Sequence, residues 1–124
     1  MIIIIHEKIS QKELSSLCKA HFDTMVKFVA DVARDCLAVG GELHSDAETR
    51  LLDDGSSQSN LWGGNFYPWN PPAQRLEYTS FINIRPADEH PGMEIRDEAI
   101  RHKVENLVEG LLLAKDETME PLTA

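Results

Sequence analysis

The sequence predicts an α+β fold, a mostly antiparallel sheet of about five strands with two or three helices packed on it. Three observations predict this class. A continuous β-branched run occupies residues 2–5, apolar and polar residues alternate over residues 76–84, and the last apolar segment repeats with helical spacing. The predicted segments follow the order β-α-β-β-α-β-β-α, which indicates a sheet with helices packed against it.

The length of 124 residues indicates a single domain, which we place at residues 1–114. Its composition is that of a globular protein, with 42% hydrophobic and 27% charged residues. The remaining residues, 115–124, are acidic and contain Pro121. We therefore expect them to form a flexible tail.

Local signals define the first strand and the first helix. The run from Ile2 to Ile5 is typical of a strand that is buried on both faces. Ser10 and Glu13 then form a capping box, in which each side chain can accept a hydrogen bond from the other residue's backbone N–H. Apolar residues at helical spacing follow, so we predict a helix over residues 11–21.

Residues 24–43 fit two structures. Their apolar residues include a helical stripe, but the alternation over residues 26–32 is equally typical of a strand. The β-branched content favours a hairpin, as does the polar pair Arg34-Asp35 between two apolar runs. We predict two strands here.

The next predicted element is a short helix. Ser45 and Glu48 form a second capping box, and the helix continues through Leu52. Turn residues at positions 53–56 end it.

Two strands and a helix complete the predicted fold. Residues 61–67 predict a strand that a glycine pair interrupts, and prolines at positions 71 and 72 place a loop after it. Residues 76–84 alternate most clearly, and Pro86 ends that strand. The last helix has one apolar face, formed by Ile100, Val104, Leu107, Val108 and Leu111.

The charge argues against two classes of partner. The chain has 21 acidic and 12 basic residues, for a net charge of −9. Nucleic-acid binding requires a cationic surface, and anionic membranes also attract basic proteins. We therefore expect no nucleic acid and no membrane partner. The absence of a signal-peptide pattern and of a membrane-length apolar run predicts a cytoplasmic protein.

Five polar residues are the candidates for a ligand site: His44, Asp46, Asn65, Asn83 and Arg85. Histidine and carboxylates are typical of acid–base and metal sites, and a guanidinium suits a carboxylate or phosphate. Structural explanations compete, because Asp46 lies in a first helical turn and Arg85 could pair with an acid such as Glu42 or Asp46. No metal or cofactor is predicted, since neither the histidines nor the two cysteines have ligand spacing.

Trp62, Tyr67 and Trp69 are the candidates for an interface. Aromatic side chains beside glycines and a proline-rich loop can line a contact surface, although a small core also needs large residues. Trp69 lies within the loop at residues 68–72 and is the least suited to simple core filling. If exposed, it would indicate a contact with a partner or a second subunit.

Five segments in a specific order suggest a relationship to known proteins. They are an isoleucine-rich start with Glu-Lys-Ile-Ser, then Gly-Gly-Glu-Leu-His-x-Asp-Ala-Glu, Leu-Leu-x-Asp-Gly-Ser, Leu-Trp-Gly-x-Asn-x-Tyr-Pro and Thr-Ser-x-Ile-Asn-Ile-Arg-Pro. Over residues 2–86 the chain resembles a family of small bacterial and archaeal proteins, a domain of unknown function. The resemblance implies a tight turn at residues 33–36, which supports the hairpin, but no activity, ligand or catalytic residue. The chain departs from the family in its loop at residues 68–72 and in its acidic tail.

We therefore predict a non-catalytic cytoplasmic binding or interaction protein, acting as a homodimer or as a subunit of an assembly. The alternative is a small enzyme or small-ligand binder with a polar site around His44 and Arg85. That alternative requires the turn at residues 40–44 and the segment at residues 83–86 to meet in space.

Overall fold

Five strands and three α-helices form within residues 1–121, the part of the chain that the computed structural model describes. In chain order they are β1 (Ile2–Ile5), α1 (Gln11–His21), β2 (Val26–Asp31), β3 (Cys36–Gly40), α2 (His44–Asp53), β4 (Leu61–Phe66), β5 (Leu76–Glu77) and α3 (Glu98–Leu111). The strands form one antiparallel sheet. The predicted α+β class is confirmed.

The ambiguous residues 24–43 contain the hairpin and not a helix. β2 pairs with β3, and Asp31 lies opposite Cys36 at the closed end. Asp31 also forms the turn, because its Oδ1 accepts hydrogen bonds from the backbone N–H groups of Ala33 and Arg34, both at 2.9 Å.

The order of strands in the sheet is β1-β3-β2-β4-β5. β1 is therefore an edge strand, and the two-residue β5 forms the other edge. Both faces of β1 are covered, as predicted, because Ile3 and Ile5 contact one hydrophobic cluster while Ile2 and Ile4 contact another. The edge position of β1 does not follow from its composition.

Helices cover both faces of the sheet. α1 and α3 pack on one face, in a cluster that includes Leu14, Phe28 and Val104. α2 packs on the other face, in a smaller cluster that includes Val29 and Leu51. Neighbouring residues of β2 thus face different helices, as the pleat of a strand requires.

The two predicted capping boxes have different outcomes. The box at α1 is confirmed, because Ser10 Oγ accepts from the Glu13 N–H at 3.1 Å and Glu13 Oε1 accepts from the Ser10 N–H at 3.3 Å. The box at Ser45 is wrong, since the N-cap residue of α2 is Leu43, two residues earlier, and it makes no side-chain cap bond. Gly40 and Gly41 have φ values of 111° and 82° and turn the chain directly from β3 toward the helix.

The strand predicted over residues 76–84 is wrong beyond its first two residues. Only Leu76 and Glu77 pair with β4, whereas residues 81–83 form a 3₁₀ turn. Ser80 caps this turn, because its Oγ accepts from the Ile82 N–H at 3.2 Å. Such local side-chain bonds offer the backbone an alternative to a sheet ladder.

The segment predicted as a flexible tail, residues 115–124, contacts the body of the protein as far as Glu120. Glu117 forms an ion pair with Lys8, and Met119 is buried against the main cluster. The indole N–H of Trp69 donates to the carbonyl oxygen of Glu120 at 2.9 Å. Residues 122–124 lie outside the described residues.

No helix within residues 1–121 has the length and apolar character needed to cross a membrane.

Candidate functional site

Asn83 lies against the side of β4 that faces away from β2. Its side chain is fully buried; Oδ1 accepts from the Gly63 N–H at 2.9 Å, and Nδ2 donates to the carbonyl oxygens of Gly63 and Met93 at 3.0 Å each. The Asn83 amide thus occupies the place of a paired strand residue. Its hydrogen-bonding groups are used for structure.

Arg85 holds the beginning of β4. Its guanidinium donates to the carbonyl oxygens of Gln58 and Leu61 and lies over the indole of Trp62, with Cζ 3.9 Å from the ring centroid. The ring of His90 meets the same indole edge-on at a centroid distance of 5.0 Å. Arg85 therefore binds carbonyl oxygens, and it does not pair with Glu42 or Asp46 as the sequence had suggested.

Asp88 and Glu48 are the acids that interact with Arg85, through charge and not through a direct hydrogen bond. Burial raises the pKa of Glu48, and the positive charge of Arg85 partly offsets this increase. Among the described residues, Glu48 Oε2 and Arg85 Nε are the two buried side-chain nitrogen or oxygen atoms without a hydrogen-bond partner.

His44 lies at the start of α2 and contacts a different part of β4. Its Nε2 is 2.7 Å from the carbonyl oxygen of Gly64, so Nε2 carries the proton of the neutral ring. Burial lowers the pKa of His44, and the nearby charge of Lys27 lowers it further. The imidazole is therefore neutral at pH 7.

His44 and Arg85 do not share a site. The carbonyl groups that they bind, at Gly64 and Leu61, are three residues apart on β4, a distance of about 10 Å at the usual rise per residue. A small cavity of about 200 Å³ beside His44 is bounded by residues 80–82 and not by Arg85. The described residues thus place no substrate position between the two side chains.

The other two polar candidates also have structural positions. Asp46 is exposed in the first turn of α2, where the helix dipole favours an acid. Asn65 donates to Glu77 Oε1 at 3.2 Å, and the hydroxyl of Tyr67 donates to the same oxygen at 2.8 Å. Burial and the Glu77 carboxylate raise the pKa of Tyr67 to about 12. Asn65 and Tyr67 therefore connect β4 to β5.

The two tryptophans are not the exposed aromatic residues of the fold. Trp62 is only 6% exposed, between Arg85 and His90. Trp69 is half-buried against the main cluster, and its indole N–H binds Glu120 of the same chain. The loop at residues 68–72 thus contacts the chain's own C-terminal segment through Trp69.

Phe81 and Leu43 are the exposed large side chains next to His44. Their exposed fractions are 76% and 58%, and both border the 200 Å³ cavity together with Ile82. We call Leu43, Phe81 and Ile82 the Phe81 patch. The sequence pattern does not predict this patch, because the alternation over residues 76–84 places Phe81 in a strand. The capping chemistry of Ser80 was the signal that could have revealed the turn.

A second cleft, of about 320 Å³, lies between β5 and α3. Apolar residues and both charge signs line it, including Arg101, Glu105 and Tyr78. Arg101 lies over the Tyr78 ring at 4.2 Å and forms an ion pair with Glu94 at 3.0 Å. None of the residues predicted to bind a ligand lies in this cleft.

Neither cysteine has the surroundings of a nucleophile. Cys18 and Cys36 are free and buried, and burial raises the pKa of Cys18 to about 12. Within residues 1–121, no group of three or more His, Cys, Asp or Glu side chains is arranged to hold a metal ion.

Comparison with known proteins identifies the family. The model of a family described as "Protein of unknown function (DUF5674)" matches residues 3–111. The chain therefore belongs to this family, in agreement with the resemblance seen in the sequence. No curated protein and no solved structure matches the chain.

Proposed function

We propose that this chain is a non-catalytic cytoplasmic binding protein that acts as a homodimer or as a subunit of a larger assembly. One observation carries the proposal. Phe81 exposes three quarters of its residue surface on a structured turn beside a small apolar cavity. Exposed apolar patches beside a pocket are typical of interaction surfaces, and aromatic residues are frequent anchors of binding energy.

The turn that presents Phe81 is held on both sides. Ser80 caps it, and Asn83, two residues beyond Phe81, is bonded to Gly63 in β4. A side chain on a fixed backbone loses less conformational entropy on binding than one on a mobile loop. Phe81 is therefore presented in a form suited to a partner protein with an apolar side chain that enters the cavity.

The polar candidates support a binding role and not a catalytic one. Asn83 and Arg85 are bonded to backbone groups of the fold, and His44 is bonded to Gly64. An acid–base catalyst needs a group within hydrogen-bonding distance of a substrate proton. The cavity beside His44, at about 200 Å³, is also smaller than the roughly 300–1,000 Å³ of most small-molecule sites.

Site-specific photo-crosslinking in cells would test the proposal. A benzophenone analogue of phenylalanine placed at position 81 should give a defined cross-linked species, whose second component mass spectrometry identifies. Position 52 is the matched control, because Leu52 is an exposed apolar residue on α2 outside the Phe81 patch. No product at position 81, or the same products at both positions, would count against the proposal.

A further inference from the structure

β1 has unpaired backbone groups on the side that faces away from β3, at the edge of the sheet. Alternate residues of an antiparallel strand direct their N–H and C=O groups toward the same neighbour. The carbonyl oxygen of Ile2 accepts a hydrogen bond from Arg50 Nη1 at 3.3 Å, so the backbone N–H and C=O of Ile2 point away from β3. By alternation, the backbone groups of Ile4 also point outward, whereas those of Ile3 and Ile5 bond to β3.

The outward groups of Ile4 are free in the described part of the chain. Neither its N–H nor its carbonyl oxygen has a hydrogen-bond partner within residues 1–121. Proteins commonly block such an edge with a proline, a bulge or a charged residue within the strand. Residues 2–5 are all isoleucine, and the nearest charged residues in sequence, Glu7 and Lys8, come after the strand.

We propose that β1 pairs antiparallel with β1 of a second copy of this chain, about a two-fold axis at Ile4. The proposal rests on the proposed function and names the partner of its homodimeric form. Ile4 of each copy donates one hydrogen bond to the other and accepts one in return. The two five-stranded sheets become one ten-stranded sheet.

A second copy is the occupant because β1 is complementary to itself. In this register Ile4 lies opposite the same residue of the second copy, and Ile3 lies opposite Ile5. Opposite residues point to the same face, so the apolar layer under α1 and α3 continues across the junction, as does the layer under α2. Isologous contacts of this kind close into a dimer.

The existing contacts of β1 also select the register. With a two-fold axis at Ile3, the hydrogen bonds between the copies that lie nearest the axis would need the Ile2 carbonyl, which Arg50 already binds. An axis at Ile4 places them on groups that have no partner. Because the strand has only four residues, the dimer is expected to bury little surface and to form in a concentration-dependent way.

Sedimentation velocity and amide hydrogen exchange test the pairing. The wild-type chain should show a rising dimer fraction with concentration, and the exchange of the Ile4 amide should slow in parallel. Ile4→Pro should be monomeric at every concentration. Proline is tolerated at an edge position whose N–H points outward, so the variant should keep the wild-type circular dichroism spectrum.

The outcomes separate this pairing from docking at the Phe81 patch. A folded Ile4→Pro variant that still dimerises overturns the pairing, and so does an Ile4 amide whose exchange is independent of concentration. If Ile4→Pro fails to fold, the amide exchange of the wild type alone decides. A dimer that Phe81→Ser dissociates and Ile4→Pro does not would overturn edge pairing and support the patch. A wild-type chain that stays monomeric also overturns it, and cross-linking at position 81 then tests the proposed function by itself.

Discussion

At one edge of the sheet, the segment after β5 supplies side chains that bind the backbone of β4. At the other edge, β1 presents backbone groups that have no partner among residues 1–121. The first edge is closed by Asn83, whose amide pairs with Gly63, and by Arg85, which binds Leu61. The second edge consists of four isoleucines whose side chains are packed, but the outward N–H and C=O of Ile4 have no partner within residues 1–121.

The difference between these edges shows that burial of side chains and pairing of backbone are separate problems. A single asparagine can replace a strand residue because its amide has both a donor and an acceptor. A run of isoleucines has no such group to offer its own edge. We therefore expect stability to depend on polar side chains at the closed edge and association to depend on the backbone at the open edge.

Asn83→Ala should break the closed edge and produce the largest effect. It would leave the N–H and C=O of Gly63 without their partner, along with the carbonyl oxygen of Met93. At about 1–3 kcal/mol for each buried unsatisfied group, with partial relaxation, we expect the free energy of unfolding to fall by about 3 kcal/mol. Urea denaturation measures this change.

Asn70→Ala is the matched control for Asn83→Ala. Asn70 is exposed and donates one hydrogen bond, to the carbonyl oxygen of Gln74 at 3.1 Å. Its loss should cost less than about 1 kcal/mol. Equal losses for the two variants would contradict the strand-like role of the Asn83 amide.

Arg85→Met should have the second largest effect. The variant keeps apolar contact with Trp62 but loses the charged hydrogen bonds to Gln58 and Leu61. Because relaxation offsets part of the loss, we expect a decrease of about 2 kcal/mol in the free energy of unfolding. Arg96→Met, which removes an exposed arginine, should change it little. A similar loss in both variants would show that the Arg85 contacts contribute nothing specific.

His44, at the start of α2, should give the smallest effect, which is a pH dependence of the free energy of unfolding. Burial lowers the folded-state pKa of His44 below its ordinary value of 6.5, so the unfolded chain binds the proton more tightly. Stability should therefore decrease as the pH falls from about 6.5 toward the folded-state pKa. Urea denaturation of the wild type and of His44→Gln across this range isolates the contribution, because Glu48 and other groups titrate in both proteins. Identical pH profiles would contradict it.

Most of the framework could be predicted from sequence, because its signals are local. The Ser10–Glu13 box and the isoleucine run each specify an element without reference to distant residues. The hairpin was harder to predict, since its apolar pattern also fits a helix and the decisive bonds come from one side chain, Asp31. Local signals predict an element most reliably where one short-range interaction fixes its backbone, as in the Ser10–Glu13 box.

The edge closed by residues 78–95 could not be predicted, because its reasons are not local. Residues 76–84 alternate like a strand, yet Ser80 caps a turn and Asn83 reaches Gly63, 20 residues away. Three of the ligand candidates, His44, Asn83 and Arg85, bind backbone groups of β4, and this depends on a tertiary arrangement that spacing does not reveal.

The placement of the two tryptophans gives the molecule two optical reporters. Trp62 lies between Arg85 and His90, so its emission should respond when the segment after β5 detaches. Trp69 is bonded through its indole to Glu120, so its emission should respond when the C-terminal segment is released. Single-tryptophan variants, Trp62→Phe and Trp69→Phe, would let fluorescence follow the two events separately during unfolding. The order in which the segment after β5 and the C-terminal segment are released could then be measured without any added label.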